Sequence, residues 1–400
     1  MNTKIINIDK DNIDGEALKE AGQIIRDGGL VAFPTETVYG LGANALDAQA
    51  AMKVYAAKGR PSDNPLIAHI CDIEMLKPLV KKIPPVAEKL MDAFWPGPLT
   101  LIFEKSDIVP KGTTGGLDTV AIRFPNHPIA SRLIKEAGTS IAAPSANLSG
   151  KPSPTLGEHV IDDLDGRIDM IIDGGMVGMG LESTIIDVTV DPPLVLRPGF
   201  ITYEMAKKVV SNLEIDQAIL KKPVEGLKPK APGMKYRHYA PAADFRIFKG
   251  DANKVAQHII DSANAKTEEG KKTGIITANQ HLGLYQGKIN ENIKVVSLGD
   301  LDKPETIANM LFKALSPNGK ALDSDSSIFQ VRILVALLNL RTSRMRCPFC
   351  YTNLYECQAL RSLRGYFSLH YLQQKCTIIL AAPTIATTTP PNHVLKIYKS

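Results

Sequence analysis

Four cationic side chains in the first half of the sequence lie where they could bind an anion. Lys58 and Arg60 belong to a Lys-Gly-Arg-Pro segment, and Arg123 and Arg197 each end an apolar run of strand length. In open α/β sheets ligands bind at strand ends, and a guanidinium there suits a carboxylate or a phosphate. Any one of them alone would more often be a surface ion pair or a snorkelling lysine. Only their convergence would indicate a site.

Spacing places Lys58 on the inward face of its helix. It lies three residues after Tyr55 and four after Val54, on the stripe that includes Ala51. Residues at this spacing share one helix face. We therefore expect the Lys58 amine to point toward the interior, with a rigid polar corner at 64–66 following it.

Small hydroxyl and amide residues follow or open three apolar strands. They form the segments Thr-Glu-Thr at 35–37, Ser-Ala-Asn at 145–147 and Glu-Ser-Thr at 182–184. Singly these are ordinary strand caps. Beside four cations, they predict a pocket for anions. Such a site, with no evident nucleophile, would act by positioning and charge stabilisation, as in phosphoryl and nucleotidyl transfer.

Several other chemistries are excluded by missing motifs. The sequence has no P-loop and no Gly-x-Ser-x-Gly elbow, and its first 325 residues have no His pair at metal-ligand spacing. The glycine-rich segment 40–45 mimics a dinucleotide fingerprint, but six residues separate it from the preceding strand. We therefore predict no protein-bound metal site and no dinucleotide site.

Composition indicates a globular chain of two or three domains. The 400 residues are 44% hydrophobic and 22% charged, which argues against disorder. We see no secretory signal and no apolar run long enough to cross a membrane. Only Cys71 precedes position 347 among five cysteines, so we expect a cytoplasmic protein without a disulfide framework and without membrane contact.

The net charge of +5 is concentrated in the last 75 residues. Residues 326–400 contain nine Lys and Arg and one acidic residue, which leaves 38 basic and 41 acidic residues in the first 325. A polyanion footprint over the whole surface is therefore absent from the main body, and an anion site must be a local cluster.

Apolar runs and helical periodicity predict a mixed α/β fold around a large sheet. We expect a mixed α/β domain over 1–212, a linker over 213–242 and a small α/β domain over 243–325. The strands we expect in the first domain are Ile5 to Ile8, Leu30 to Phe33, Leu99 to Phe103, Val120 to Phe124, Ser140 to Ala143, Met170 to Ile172, Thr184 to Val188 and Leu194 to Leu196.

The tail over 326–400 is atypical. It is basic and contains Cys347, Cys350, Cys357 and Cys376, of which the first two form a Cys-Pro-Phe-Cys half-site for zinc. The matching second pair is missing. We interpret this tail as a non-native or frameshifted terminus.

Five long motifs resemble the threonylcarbamoyl-AMP synthase family in its long form. They stand in the right order over roughly 310 residues, at 33–42 (Phe-Pro-Thr-Glu-Thr-Val-Tyr-Gly-Leu-Gly), 58–66, 94–100, 144–150 and 231–241. The resemblance implies a YrdC-like twisted mixed sheet flanked by helices with a concave pocket, and a smaller Rossmann-like C-terminal domain. The sequence departs from the family after about Leu315.

The resemblance also implies a nucleotidyltransferase. It would form threonylcarbamoyl-AMP and pyrophosphate from L-threonine, bicarbonate and ATP, with Mg²⁺ held mainly by the phosphates. The product would pass to the machinery that modifies the tRNA adenosine next to the anticodon, with a weak tRNA contact at most. The segment 231–241 would close over the pocket as a lid.

Site residues carry over from the family at matching positions. The catalytic signature is Lys58, Arg60, Ser145 and Asn147, which also contact ATP. The other ATP positions are Asn64, Thr119, Arg197 and Tyr239. The L-threonine positions are Thr35, His69, Arg123, Ala143 and Ser183, with Arg123 as partner of the carboxylate.

Two alternatives remain open from the sequence. One is a non-catalytic module that binds double-stranded RNA or tRNA, which the near-neutral main body disfavours. The other is the carbamoyl-adenylate domain of a larger carbamoyltransferase, which the absence of zinc-finger-like and acylphosphatase-like segments disfavours.

Overall fold

The N-terminal part of the chain forms one mixed sheet of eleven strands covered by helices. The structure is a computed structural model and describes residues 2–220, 231, 245–248, 250–315 and 327–331. The strands are β1 (Lys4–Asn7), β2 (Val31–Phe33), β3 (Gly40–Asn44), β4 (Ile67–His69), β5 (Leu99–Glu104), β6 (Thr119–Arg123), β7 (Ile141–Ala142), β8 (Met170–Asp173), β9 (Thr184–Asp187), β10 (Leu194–Arg197) and β11 (Glu214–Ile215). The helices are α1 (Gly15–Arg26), α2 (Ala48–Lys58), α3 (Pro85–Phe94), α4 (Pro128–Ala137), α5 (Gly157–Leu164), α6 (Tyr203–Val209) and α7 (Gln217–Leu220).

The strand order is β1-β8-β2-β3-β7-β4-β6-β5-β9-β10-β11. The sheet contains both parallel pairs, such as β4 with β6, and antiparallel pairs, such as β4 with β7. The mixed α/β class and the flanking helices predicted from the sequence are confirmed.

Side chains of one strand alternate between two different environments, because successive residues point to opposite faces of a sheet. On β6, Val120 and Ile122 pack into the largest apolar core. Ala121 lies on the other face, in a small cluster with Ile67 and Ile185. Arg123 lies on the same face of β6 as Ala121, so the polar end of this strand lies beside that small cluster.

Helix α2 ends as its sequence predicts. Its buried stripe comprises Ala51, Val54, Tyr55 and Lys58, which confirms the inward placement of the lysine. Gly59 terminates the helix at φ 58°, a left-handed conformation that glycine adopts without steric cost.

The large sheet includes strands that the sequence pattern did not reveal. β3 lies in the glycine-rich segment that mimics a dinucleotide fingerprint, and β4 has only three residues. β11 pairs in parallel with β10, so the sheet continues beyond the predicted boundary at 212.

A second, smaller sheet follows in the chain. It has four parallel strands in the order β12-β15-β13-β14. Its elements are β12 (Phe245–Phe248), α8 (Ala252–Glu268), β13 (Thr273–Thr277), β14 (Lys294–Ser297), α9 (Pro304–Leu315) and β15 (Ser327–Val331).

The sequence departs from the family pattern after about Leu315, yet a further strand of the small sheet follows this point. β15 lies inside the small sheet, paired with both β12 and β13, and it extends past the predicted boundary at 325. An isolated strand of five residues has little pattern of its own, and its place is set by partners distant in sequence. The four tail cysteines lie outside the described residues.

One side chain of the small domain holds a loop of the large one. The Asn309 amide on α9 donates hydrogen bonds to the carbonyls of Val177 and Gly178, at 2.6 and 2.8 Å. Gly180, in the same loop, packs so closely that a Cβ there would lie 2.6 Å from the Asn309 Cα. The two α/β units therefore meet at the glycine-rich loop 174–180.

Helices long and apolar enough to cross a bilayer do not occur among the described residues.

We expect Asn309→Ala to weaken this contact, because one buried and one partly buried carbonyl lose their donor. The free energy of unfolding should fall by about 1 to 3 kcal/mol, as measured by chemical denaturation. Asn253→Ala, at an exposed position of α8, is the control. Equal stability of the two variants would contradict the role of Asn309.

Candidate active site

A cavity lies on the sheet face that carries Ala121 and Arg123. It encloses about 550 Å³, including space open to solvent. Its lining combines three guanidinium groups, one carboxylate, hydroxyls and apolar residues from seven segments: Thr35, Thr37, Val38, Tyr39, Gly40, Arg60, Ile67, His69, Arg123, Ala143, Pro144, Ser145, Glu182, Ser183 and Arg197.

The register of two parallel strands sets His69 beside Arg123. These residues are partners in the β4–β6 ladder, as are Ile67 and Ala121 two positions earlier. Both side chains project from the same face, because they stand an even number of residues from members of the small cluster. The Ala143 amide donates to the Ile67 carbonyl at 2.8 Å, which brings the third strand of the pocket alongside.

Arg123 forms a buried ion pair with Glu36. Its Nη2 lies 2.8 Å from Oε1 of Glu36, and the two side chains are only 5% and 9% exposed. Within the described residues, Nε of Arg123 is buried and donates no hydrogen bond. The guanidinium therefore keeps donor capacity for a second anion.

Arg197 is held by the backbone and hydroxyl of Ser183. Its Nη2 donates to the Ser183 carbonyl at 2.8 Å and to Oγ at 3.0 Å. The Ser183 hydroxyl also pairs with that of Thr100 at 2.8 Å. These contacts fix the direction of the guanidinium without neutralising its charge.

Lys58 lies behind the cavity lining. Its amine donates to the carbonyls of Ser145 and Asn147, and the side chain is buried. Burial, followed by the nearby Arg60 charge, holds the pKa of Lys58 well below its usual range. The lysine thus ties the end of α2 to the loop after β7.

That loop is braced by its own polar side chains. The Ser145 hydroxyl donates to Oδ1 of Asn147 at 2.5 Å, and the Asn147 amide donates to the carbonyls of Leu148 and Lys151 at 2.8 and 2.9 Å. Asp163 on α5 accepts from the Leu148 amide at 3.0 Å. The loop is therefore ordered before any ligand enters.

Arg60 is placed by the corner at 64–66. Its Nε and Nη2 donate to the carbonyls of Asn64 and Pro65, at 3.2 and 3.1 Å. Asn64 is buried and does not line the cavity, and its backbone carbonyl holds the guanidinium.

Thr35 stabilises the turn after β2. Its hydroxyl donates to the Val38 carbonyl at 2.6 Å and accepts from the Thr37 amide at 3.2 Å. The turn presents the Thr35 and Thr37 side chains to the cavity.

His69 is uncharged at neutral pH. Burial, followed by the Arg123 charge, lowers the pKa of its imidazole to about 3. Nδ1 lies 3.0 Å from the Ile67 carbonyl, so this nitrogen carries the proton as donor. A neutral ring beside three arginines adds polarity without adding to their mutual repulsion.

The structure brings most of the predicted residues together. Eight of them line the cavity: Thr35, Arg60, His69, Arg123, Ala143, Ser145, Ser183 and Arg197. Lys58, Asn64 and Asn147 stand behind the lining, connected to it through the hydrogen bonds above. Thr119 lies at the opposite end of β6 from Arg123 and does not line the cavity. Tyr239 lies outside the described residues.

Sequence reasoning missed three residues of the site. Glu36 and Glu182 lie within the segments 35–37 and 182–184, but the sequence pattern assigns them no role. For Thr100 it predicts only a position in a strand. The position of both glutamates between the hydroxyl residues of the segments 35–37 and 182–184 is the signal that could have found them. Glu182 lines the cavity and accepts from the Ser153 hydroxyl at 2.7 Å.

The start of the predicted lid lies beside the pocket. Ala231 is fully buried among Ile67, Ile185 and Leu196. The rest of the segment 232–241 lies outside the described residues.

Comparison with known proteins assigns the family. Residues 23–199 match the Sua5_yciO_yrdC model, whose description is telomere recombination, and residues 201–337 match the threonylcarbamoyl-AMP synthase C-terminal domain. A threonylcarbamoyl-AMP synthase of Pyrococcus abyssi is 50% identical over 313 residues, which is 78% of this chain and 88% of that protein. The chain belongs to the threonylcarbamoyl-AMP synthase family. The family and function inferred from the five motifs are confirmed.

Further relatives agree with this assignment. A threonylcarbamoyl-AMP synthase of Bacillus subtilis is 48% identical over 299 residues, or 74% of this chain and 83% of that protein. The crystal structure of P. abyssi Sua5 complexed with L-threonine aligns with a TM-score of 0.76 and 42% identity, over 94% of this chain and all of that one. The C-terminal match through residue 337 corrects the expectation that family likeness ends near Leu315.

We expect the neutral state of His69 to make the fold acid-sensitive. Its folded pKa of about 3 is below the unfolded value of about 6.5, so the unfolded chain binds the proton first and stability falls as pH drops below 6.5. Between pH 7.5 and 5.0 His69 should account for a loss of about 2 kcal/mol.

Denaturant titrations at the two pH values test this expectation. His69→Gln should lose less stability on acidification than the parent chain, whereas His258→Gln, at an exposed position of α8, should behave like the parent. The same pH dependence in all three proteins would disprove the assignment.

Proposed function

We propose that this cavity is the active site in which the chain, a threonylcarbamoyl-AMP synthase, joins L-threonine, bicarbonate and ATP. The observation that carries the proposal is the buried Arg123, whose unused donors face a cavity that Arg60 and Arg197 also line. Three guanidinium groups from separate segments suit a ligand set of carboxylate, bicarbonate and phosphates.

The L-threonine subsite is proposed around β4 and β6. Arg123 binds the carboxylate, and His69, Thr35 and Ser183 offer hydrogen bonds to the amine and hydroxyl. Ala143 closes one side with a small methyl group. The likeness to an L-threonine complex of a 42% identical protein supports this placement.

The ATP subsite is proposed at the other end of the cavity, around α2 and the loop after β7. Lys58 and Arg60 offset phosphate charge, while Ser145 and Asn147 shape the loop that contacts the nucleotide. Arg197, Asn64, Thr119 and Tyr239 complete the set by likeness to the family. The two carbonyl contacts of Lys58 leave one of its three N–H donors for a phosphate.

The proposed reaction has two steps. The threonine amine adds to bicarbonate-derived CO₂ to give a carbamate, whose oxygen then attacks the α-phosphate while pyrophosphate leaves. Preorganised cations stabilise the charge that builds on the phosphates. Because the carbamate and the mixed anhydride both hydrolyse in water, a closed pocket favours product formation, and we propose the segment 231–241 as the lid.

Magnesium is proposed as the ion that accompanies ATP. The described residues contain no cluster of three His, Cys, Asp or Glu that could hold a metal. They therefore fit an ion coordinated mainly by phosphates and water. Glu182 is the carboxylate among the lining residues of the cavity. Bound in this way, the ion would neutralise phosphate charge.

The product is proposed to pass to the machinery that modifies tRNA next to the anticodon. Because the first 325 residues carry slightly more acidic than basic groups, transfer through a partner fits better than tight tRNA binding.

The all-parallel small sheet supports a Rossmann-like reading of the second domain.

Lys58→Ala tests the ATP subsite. We expect kcat/KM for threonylcarbamoyl-AMP formation to fall, because one preorganised donor is lost. The loss of transition-state stabilisation should be about 2 to 4 kcal/mol. The assay combines the full chain with ATP, bicarbonate and labelled L-threonine. Carbamoyl phosphate replaces bicarbonate in a parallel reaction, which separates this activity from that of a carbamoyltransferase.

Lys89→Ala, on the exposed face of α3, is the matched control. Turnover by Lys58→Ala equal to that of the control would reject the role of Lys58. Steeply salt-dependent RNA binding without ATP turnover by the parent chain would favour the RNA-binding alternative.

A further inference from the structure

We propose that Glu36 is a positioning residue that acts as the resident counter-ion of Arg123 and makes the threonine end of the cavity selective for carboxylate over phosphate. The inference rests on the proposed role of Arg123 as partner of the threonine carboxylate. Glu36 acts through Arg123 and does not itself line the cavity.

The pair is placed where charge interactions are strong. The 2.8 Å contact joins two side chains that are more than nine-tenths buried. Little water screens charges at such a site, and an unpartnered buried charge is costly. Neither oxygen of Glu36 makes a hydrogen bond within the described residues, so its attachment there is the ion pair with Arg123.

The backbone around Glu36 is fixed on both sides. The Met179 amide donates to the Glu36 carbonyl at 2.8 Å, and the Gly180 amide donates to the Thr37 carbonyl at 3.0 Å. The Thr35 hydroxyl closes the turn from within. The turn that carries the Glu36 carboxylate is therefore held in place, and an incoming anion cannot easily displace it.

Other titratable groups near the pair do not replace this partner. His127, on the N-terminal side of α4, is mostly buried, and burial lowers its pKa to about 4, so its ring is neutral. Lys10 lies near His127 and, as a cation, cannot serve as the partner of an arginine. Glu36 therefore supplies the negative charge that Arg123 needs in the absence of substrate.

Partial neutralisation changes what Arg123 attracts. With Glu36 on one edge, the guanidinium offers hydrogen-bond geometry but little net charge, which suits a planar carboxylate approaching its free donors. A phosphate or pyrophosphate, whose binding depends more on net charge, gains less. The threonine end is thereby kept free of the anions that the other end must bind.

Competition by inorganic phosphate tests the proposal in the full chain. In Glu36→Gln the donor–acceptor shape is kept and the charge is removed, so phosphate should compete with L-threonine at a concentration on the order of tenfold lower than in the parent. Binding of L-threoninamide, which lacks the carboxylate, should not improve. Calorimetric titration of L-threonine, with and without phosphate, measures the competition. A separate calorimetric titration of L-threoninamide measures the binding of the amide.

Glu88→Gln, on the exposed face of α3, is the control and should match the parent. If Glu36→Gln does not fold, Glu36→Asp, which keeps the charge one methylene further away, should show the same change to a smaller degree. A lowered melting temperature without any change in phosphate competition would overturn the proposal, because it describes an ion pair that only stabilises the fold.

Failure of the proposed function gives a different result. In that case the parent chain binds no L-threonine, or Arg123→Gln binds it as well as the parent does. If the parent and Arg123→Gln differ as expected while Glu36→Gln leaves phosphate competition unchanged, the role of Glu36 alone is wrong.

Discussion

A guanidinium buried at the centre of the sheet needs a negative partner, and much of the pocket is arranged around that need. Arg123 reaches its place because β4 and β6 are parallel and in register. Glu36 reaches it from a turn whose backbone is tied to loop 174–180. Strand pairing, turn geometry and charge compensation thus depend on one another, and removing any of them leaves a charge buried without a partner.

Lys58 meets the same constraint by other means. Its counterparts are two backbone carbonyls in place of a carboxylate. Two carbonyls satisfy two of the three ammonium donors but do not cancel the charge, so burial works against protonation. The two cationic side chains therefore differ: Arg123 is paired with a carboxylate, whereas Lys58 is held by backbone carbonyls.

The sequence identified the residues of the site more fully than it identified which of those residues contact one another. Helical spacing placed Lys58 inward, and strand-end positions found Arg123 and Arg197, because these signals are local. β4, with three residues, and β15, five residues set between distant strands, have no local pattern long enough to distinguish them from loops. The pairing of Arg123 with Glu36 spans 87 positions and depends on a register that only the assembled sheet defines.

The position of Gly180 has a consequence for how the two domains can be combined. Its φ of +73° and its contact with the Asn309 backbone leave no room for a side chain, and its amide bonds the turn that holds Glu36. A chimera that joins the first domain of one family member to the second domain of another would therefore need the glycine loop and helix α9 from the same parent. The contact between the two modules thus lies one hydrogen bond away from the turn that carries Glu36.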